Sequence, residues 1–266
     1  MNPRFPLQAA VLAASLLGCA GALAQSRAVE ATHFELGFSS IESDTSDSAS
    51  SGTLGADFTV TFPLGSYFGA SLGAVYSDAN VRTNEILPAD TTTSSTRPSC
   101  GFENLGGNAS LFFRRPDFGR VGVTYGMGDL SSDCDGDAVF PITGDDKLST
   151  DFYRVNAEYY FRNFTFGAGY TTTKLEDGQD LKSTSLAASW YPFDSLKVAL
   201  TANDLYDDNT YGIQLEHQPE MMGDGLSVRL GVSTTSEDPK TLTIQLGLSY
   251  YFGRHVTLKV RDRQYR

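Results

Sequence analysis

The sequence predicts an all-β protein, a closed antiparallel up-and-down transmembrane β-barrel of about twelve strands. Three observations support this fold class. Short segments alternate between apolar and polar residues, tight turns alternate with long polar loops, and aromatic residues gather where strands meet the tight turns. An alternation with a period of two indicates a strand whose two faces meet different surroundings.

Twelve segments show this alternation. In the first, Phe34, Leu36 and Phe38 share one face while His33 and Glu35 share the other. The segments are THFELGFSS, DFTVTF, YFGASLGAVY, LGGNASLF, RVGVTYGM, YRVNAEYYF, FTFGAGY, TSLAASW, LKVALTA, TYGIQLE, LSVRLGV and TLTIQLGLSYYF. A soluble β-sandwich also has an apolar face on each strand, so alternation alone leaves that fold open.

The connections between the segments differ in length in a regular way. The tight turns are 63–66, 114–119, 162–163 and 192–195, and the long connections are 41–52, 78–103, 129–149 and 174–180. Residues 218–225 are rather long for the tight-turn side. Short turns at one end and long loops at the other favour a transmembrane barrel over a sandwich.

Aromatic residues at the ends of the strands next to the tight turns are expected to form a belt at the membrane interface. These residues are Phe62, Phe68, Phe112, Phe113, Phe118, Tyr159, Tyr160, Phe161, Phe164, Trp190, Tyr191, Phe193, Tyr250, Tyr251 and Phe252.

The chain is divided by these patterns into a signal peptide (1–24), a barrel (25–252) and a basic tail (253–266). One basic residue, Arg4, precedes a short apolar run and a small-residue cleavage pattern, as in secretory signals. A lipoprotein cleavage site with an acylated Cys19 is the alternative.

The charge of the chain excludes one class of partner. Residues 1–24 contain one of the 20 basic side chains and none of the 32 acidic ones, so the exported chain has 19 against 32 and a net charge of −13. Nucleic acid is therefore not expected to bind, because phosphate contacts need clustered Lys and Arg. Six loops on the long-connection side carry 21 acidic and 5 basic side chains. The acidity is thus concentrated at one rim.

With its signal peptide, dyad repeat, turn pattern and aromatic ending Tyr250-Tyr251-Phe252, the sequence resembles the Gram-negative outer-membrane β-barrel proteins, in particular small porin-like barrels. The resemblance covers 31–252 and implies an outer-membrane location. It also implies that the aromatic ending is read by the barrel-assembly machinery, with outer-membrane lipids and lipopolysaccharide as surroundings.

The polar face of the strands is expected to line the lumen. Its charged members are Glu35, Asp57, Arg120, Arg154, Glu158, Lys197, Glu216 and Arg229. Four acids against four bases fit either a wet pore or an internal network of ion pairs.

Two cysteines, Cys100 and Cys134, face one another when the strands are paired through the turn at 114–119. Because an exported protein meets an oxidising compartment, we expect a disulfide between them. No metal site or cofactor is expected, because the acidic loop at 133–137 lacks the spacing of a calcium-binding loop.

The function predicted is passive diffusion of small hydrophilic solutes, with a mild cation preference set by the acidic rim. The alternative is a non-conducting structural or adhesive barrel that binds lipopolysaccharide or a surface partner through its loops. A lipid hydrolase ranks third. The histidines are His33, His217 and His255, and none has a serine two residues away, so we do not expect an enzyme.

The tail beyond Phe252 is expected to be periplasmic and to fold under or into the mouth of the lumen. Alternation of Val256, Leu258 and Val260 leaves open a further short strand or a fourteen-stranded barrel. Successive charges at 261–263 argue against a strand that faces lipid.

Overall fold

Twelve antiparallel strands form a closed barrel in the computed structural model, which describes residues 28–45, 50–82, 99–134, 147–176, 180–205, 208–219, 225–236, 240–254 and 256–266. Each strand pairs with its neighbours in sequence, and the last pairs with the first, which confirms the predicted fold class. Among the described residues no helix is long and apolar enough to span a bilayer.

The strands are β1 (His33–Thr45), β2 (Ser50–Pro63), β3 (Phe68–Arg82), β4 (Ser99–Arg115), β5 (Gly119–Cys134), β6 (Lys147–Phe161), β7 (Phe164–Leu175), β8 (Asp180–Phe193), β9 (Leu196–Leu205), β10 (Asp208–His217), β11 (Leu226–Thr235) and β12 (Thr241–Phe252), and a single short helix follows them, α1 (Leu258–Gln264).

Barrel closure is complete at Phe252. The β1–β12 register runs from Phe34 opposite Phe252 to Thr45 opposite Thr241. The chain beyond Phe252 adds no strand among the described residues. It forms α1 instead. The alternating residues of the tail therefore indicate neither a further short strand nor a fourteen-stranded barrel.

The tail is helical because its buried residues recur at helical spacing. Leu258, Arg261 and Tyr265 are fully buried, at intervals of three and four residues. Residues at these intervals share one face of a helix. The alternation of Val256, Leu258 and Val260 is therefore coincidental.

Most strands extend further toward the long loops than the alternation predicts. β1 and β2 are joined across 46–49 instead of 41–52, and β5 continues to Cys134. Beyond the bilayer both faces of a strand meet water, so no apolar face remains to produce alternation. In this region hydroxyl side chains of neighbouring strands form hydrogen bonds with each other, as between Ser43 and Thr243, whose oxygens are 2.9 Å apart.

The outer surface in the membrane-spanning part is apolar, and ten of the fifteen predicted belt residues are exposed on the barrel. These are Phe68, Phe113, Phe118, Tyr159, Phe161, Phe164, Trp190, Phe193, Tyr250 and Phe252. Side chains exposed in this way are suited to the interface of a bilayer.

The other five predicted belt residues are buried, which corrects the predicted belt: Phe62, Phe112, Tyr160, Tyr191 and Tyr251. Neighbouring residues on a strand point to opposite faces. In pairs such as Phe112-Phe113 and Tyr250-Tyr251, one ring must therefore point into the lumen. The same aromatic clusters supply both a belt outside and a small core inside.

Candidate functional site in the lumen

The C-terminal plug, defined here as residues 256–266, lies inside the barrel at the end that carries the tight turns. The rim of the barrel holds it through main-chain oxygens. The amide of Lys259 donates to the carbonyl of Asp194 at 3.0 Å. Nη1 of Arg263 donates to the carbonyl of Arg162 at 2.7 Å. The plug therefore occupies the described part of the lumen at this end.

An apolar and aromatic layer surrounds the inner face of the plug. Leu258 and Tyr265 of the plug are fully buried, as is Val29, which precedes β1. The ring of His33 lies 5.0 Å from that of Tyr251 and 5.5 Å from that of Tyr265, measured between centroids. His33 is thus part of a packed layer.

Residues just before β1 complete this layer. The amide of Ala28 donates to the carbonyl of Ser66 at 2.7 Å, and Nη1 of Arg114 donates to the carbonyl of Ala28 at 3.2 Å. The hydroxyl of Tyr265 donates to Glu30 at 2.7 Å. Burial, followed by this bond to Glu30, raises the pKa of Tyr265 to about 12.

A fully buried carboxylate, that of Glu216, is the centre of the contacts between wall and plug. Its Oε1 lies 2.7 Å from Nη2 of Arg261 and 3.4 Å from Nη1 of Arg266. Its Oε2 lies 2.6 Å from Nζ of Lys197 and 3.9 Å from Nη2 of Arg229. One carboxylate is therefore shared by four basic side chains, two from the wall and two from the plug.

Asp262 is an acidic residue of the plug that contacts a basic residue of the wall, Lys197. Its Oδ2 lies 2.9 Å from Nζ of Lys197 and accepts a bond of 2.9 Å from the hydroxyl of Tyr191. Its Oδ1 lies 2.9 Å from Nη1 of Arg266, and Arg266 in turn forms a two-pronged pair with Glu35. These contacts define the ion-pair cluster, which consists of Glu35, Lys197, Glu216, Arg229, Arg261, Asp262 and Arg266.

Acidification should release the plug only in strong acid. Burial by itself would raise the pKa of Asp262, but Lys197 and Arg266 outweigh burial and hold the pKa below its usual 3.8. The contribution of Asp262 to docking is therefore complete above pH 3.8 and is lost as the pH falls through the lowered value.

Hydrogen exchange of the α1 amides, corrected for intrinsic rates, would measure this dependence. We expect equal protection at pH 7 and pH 5 and a loss of protection below about pH 4, where free carboxyl groups titrate. Loss of protection already between pH 7 and pH 5 would contradict this assignment.

The structure places the predicted lumen residues in two groups. Glu35, Lys197, Glu216 and Arg229 belong to the ion-pair cluster. The remaining four lie elsewhere on the inner wall: Asp57, Arg120, Arg154 and Glu158. Asp57 lies against Gly37 of the neighbouring strand, where any side chain would collide with the Asp57 carboxylate.

Four functional residues escape the sequence reasoning: Arg114, Arg261, Asp262 and Arg266. For Arg114 a signal exists, because it shares the inward parity of Asn108 on β4 and lies opposite the inward-facing Arg120 of β5. For the plug residues the only signal is their helical spacing. Their partners on β1, β9 and β10 cannot be read from the tail.

Some predictions fall outside what the structure describes. Cys100 and Cys134 are directly opposite in the β4–β5 register, but their side chains lie outside the described part, so the disulfide stays a prediction. The signal peptide (1–24), His255 and most of the acidic loop residues also lie outside the described residues. Within the described ranges, no group of His, Cys, Asp and Glu side chains could hold a metal ion.

Solved structures similar to this one are membrane barrels. An outer-membrane channel from Pseudomonas putida F1 has a TM-score of 0.62 at 9% identity, with 88% of this chain and 100% of that chain covered. The toluene transporter TbuX from Ralstonia pickettii has a TM-score of 0.52 at 10% identity, covering 85% and 90%.

The translocator domain of the autotransporter NalP from Neisseria meningitidis has a TM-score of 0.51 at 10% identity, covering 92% and 96%. No protein-family profile and no curated sequence matches the chain. At these identities the likeness concerns the fold alone, and that fold is the one of Gram-negative outer-membrane β-barrels.

Proposed function

We propose that this protein is a porin-like channel of the Gram-negative outer membrane for small hydrophilic solutes, closed at its periplasmic end by its own C-terminal plug. Short turns face the periplasm in bacterial barrels, which assigns the plugged end to that side. Several proteins of similar fold are described as porins, channels or transporters, in agreement with this proposal.

The observation that carries the proposal is the chemistry of the wall beyond the plug. Alternate residues of each strand share a face, so the inward face can be followed through the register. Among the described residues it is lined mainly by hydroxyl and amide side chains, including Ser39, Ser110, Thr124, Asn156, Thr171, Ser185, Thr201, Gln214, Ser233 and Gln245. Such a surface suits water and polar solutes.

The plug is held by contacts that can be reversed. Its charged anchors are non-covalent, and Nε and Nη1 of Arg261 have no hydrogen-bond partner among the described residues. Buried ion pairs contribute little net stability, because desolvation offsets most of the attraction. A plug held in this way can leave the lumen without unfolding the barrel.

The mild cation preference predicted from the sequence remains part of the proposal. It rests on the acidic loops, since an acidic mouth concentrates cations near it.

A second candidate function is a non-conducting structural or adhesive barrel that binds lipopolysaccharide or a surface partner. The packing of Leu258, Tyr265 and Tyr251 favours it, because such a layer resembles a permanent core. An enzyme has less support. His33 is packed between two rings, and His217 is exposed with Nδ1 3.2 Å from the carbonyl of Ser195.

Planar-bilayer recording on the double variant Arg261→Ala and Arg266→Ala separates the two candidates. We expect rare openings in the full chain and sustained conductance in the double variant, because the plug loses its contacts with Glu216. The control is Arg115→Ala, which removes an exposed pair with Asp117 at the tight turn after β4 and should behave as the full chain does. A double variant that stays silent although its tail has become accessible to protease would favour the structural barrel.

A further inference from the structure

Every arginine of the plug donates hydrogen bonds to the barrel wall through its guanidinium group. These arginines are Arg261, Arg263 and Arg266, and they contact the wall at three different places. The plug therefore docks through one chemical group that is used three times. A wall that accepts the same group at three places is a candidate binding site for that group.

The contact of Arg266 depends on the shape of its guanidinium group. Nε donates to Oε2 of Glu35 at 2.9 Å, and Nη2 donates to Oε1 of the same carboxylate. This two-pronged arrangement uses a planar fork of donors, which an ammonium group cannot reproduce. Among the described residues, Arg266 is also the one basic side chain within ion-pair distance of Glu35. Glu35 therefore depends on a guanidinium group that the wall itself does not supply.

Arg263 is held by neutral acceptors and by aromatic rings. Its three acceptors all lie at the turn from β6 to β7: the carbonyls of Arg162 and Phe164 and Oγ1 of Thr165. Nη1, Nη2 and Nε donate to these atoms at 2.7, 2.6 and 3.3 Å, in that order. The guanidinium carbon lies 5.2 Å from the ring centroid of Tyr160 and 5.6 Å from that of Tyr191. All three nitrogens thus have an acceptor, and two rings add a further attraction for the cation.

The acceptors of Arg261 are held in place by the wall. Nη2 of Arg261 donates to Oε1 of Glu216 at 2.7 Å and to Oγ of Ser227 at 3.1 Å. Oγ of Ser227 in turn donates to the same oxygen of Glu216 at 3.0 Å, which joins β10 to the residue in β11. Because this bond needs no residue of the plug, the two acceptors are preorganised for a guanidinium group from any source.

Release of the plug without a replacement cation would be unfavourable at Glu35. Only 12% of this side chain is exposed, and it would lose its ion-pair partner among the described residues. A buried charge without a partner is strongly destabilising. A cation that takes the place of Arg266 would remove this penalty. Release of the plug is therefore expected to be coupled to the binding of a cation at Glu35.

We propose that the wall around the plug is a binding site for guanidinium groups, and that a solute carrying such a group competes with Arg266 and thereby releases the plug. The arginines of the plug occupy this site when the plug is docked. The inference rests on the proposed channel function in that it names the class of solute that opens the channel. The acidic loops agree with it, because an acidic mouth raises the local concentration of cationic solutes.

Calorimetric titration of Arg266→Ala in detergent tests the site, because the substitution vacates the position of one guanidinium group at Glu35. The probes are argininamide and lysinamide, which share the amide and the α-amine and differ in the cation of the side chain. At constant ionic strength, we expect Arg266→Ala to bind argininamide at least about tenfold more tightly than the unsubstituted chain does. We expect it to bind lysinamide at least about tenfold more weakly than argininamide, as for a lost charge-assisted bond.

Two further variants serve as controls. Arg266→Ala combined with Glu35→Gln removes both members of the pair and should weaken the binding of argininamide, because the two-pronged acceptor is lost. Arg115→Gln removes an exposed arginine that is paired with Asp117 and should bind as the unsubstituted chain does. The proposal is overturned if Arg266→Ala gains no affinity for argininamide, if it binds both probes equally, or if the added Glu35→Gln leaves the affinity unchanged.

Hydrogen exchange of the α1 amides tests the competition in the unsubstituted chain. Argininamide should lower the protection of α1 in a saturable manner, and lysinamide at the same concentration and ionic strength should lower it less. If argininamide binds to Arg266→Ala but leaves α1 protected in the unsubstituted chain, the proposed release of the plug is wrong. Neither measurement needs conductance, so a failure here is distinct from a failure of the channel function.

Discussion

Deletion of residues 254–266 should produce a barrel that still inserts into membranes and conducts ions steadily, where the full chain is closed. β12 completes its pairing with β1 at Phe252, ahead of the deleted segment. The strands that span the membrane and the aromatic residues outside are thereby retained. What is lost is α1, which fills the tight-turn end.

The measurement is single-channel recording of the refolded deletion variant beside the full chain. We expect stable conductance steps in the variant and none, or only brief ones, in the full chain. Heat-sensitive mobility in gels would confirm that the barrel has closed. If the variant fails to insert, the tail takes part in barrel formation; if it inserts but stays silent, another part of the chain blocks the lumen.

Replacement of Glu216 by Gln should have the largest effect of any single substitution on docking of the plug. The carboxylate is fully buried and neutralises Lys197, Arg261 and Arg266 in part. Its loss leaves buried cations close together without their shared partner. Removal of one member of a buried ion pair costs about 3–5 kcal/mol, so docking should be largely abolished.

Hydrogen exchange of the α1 amides gives the free energy of docking in the full chain and in Glu216→Gln. Asp117→Asn is the control, because that residue forms an exposed pair with Arg115, and such pairs contribute about 0–1 kcal/mol. Unchanged protection of α1 in Glu216→Gln would show that the apolar layer around Leu258 and Tyr265 suffices to hold the plug.

The barrel could be predicted from the sequence because lipid imposes a strict requirement on every spanning strand. Residues such as Leu36, Val155 and Leu246 must alternate with polar neighbours wherever one face meets lipid and the other the lumen. The requirement ends at the membrane surface. The alternation therefore predicts strands that are too short at that end. Ser43 and Thr45 continue β1 with no apolar face to reveal it.

The candidate site could be predicted only in part. Inward-facing charges such as Glu35 and Glu216 follow from parity, but their partners come from a helix that no alternation announces. The sequence analysis assigns both members of aromatic pairs such as Trp190-Tyr191 to the belt. In the structure Trp190 lies outside and Tyr191 inside, and the sequence alone does not distinguish them because both are aromatic residues at the end of a strand.

The position of the plug also fixes an order of events during biogenesis. Arg266 contacts Glu35 on β1 and Glu216 on β10, which lie far apart in an open sheet and become close only when β12 pairs with β1. The docking site for the tail therefore does not exist before the last strand is in place. Docking of the plug is a late step that only a finished barrel can complete.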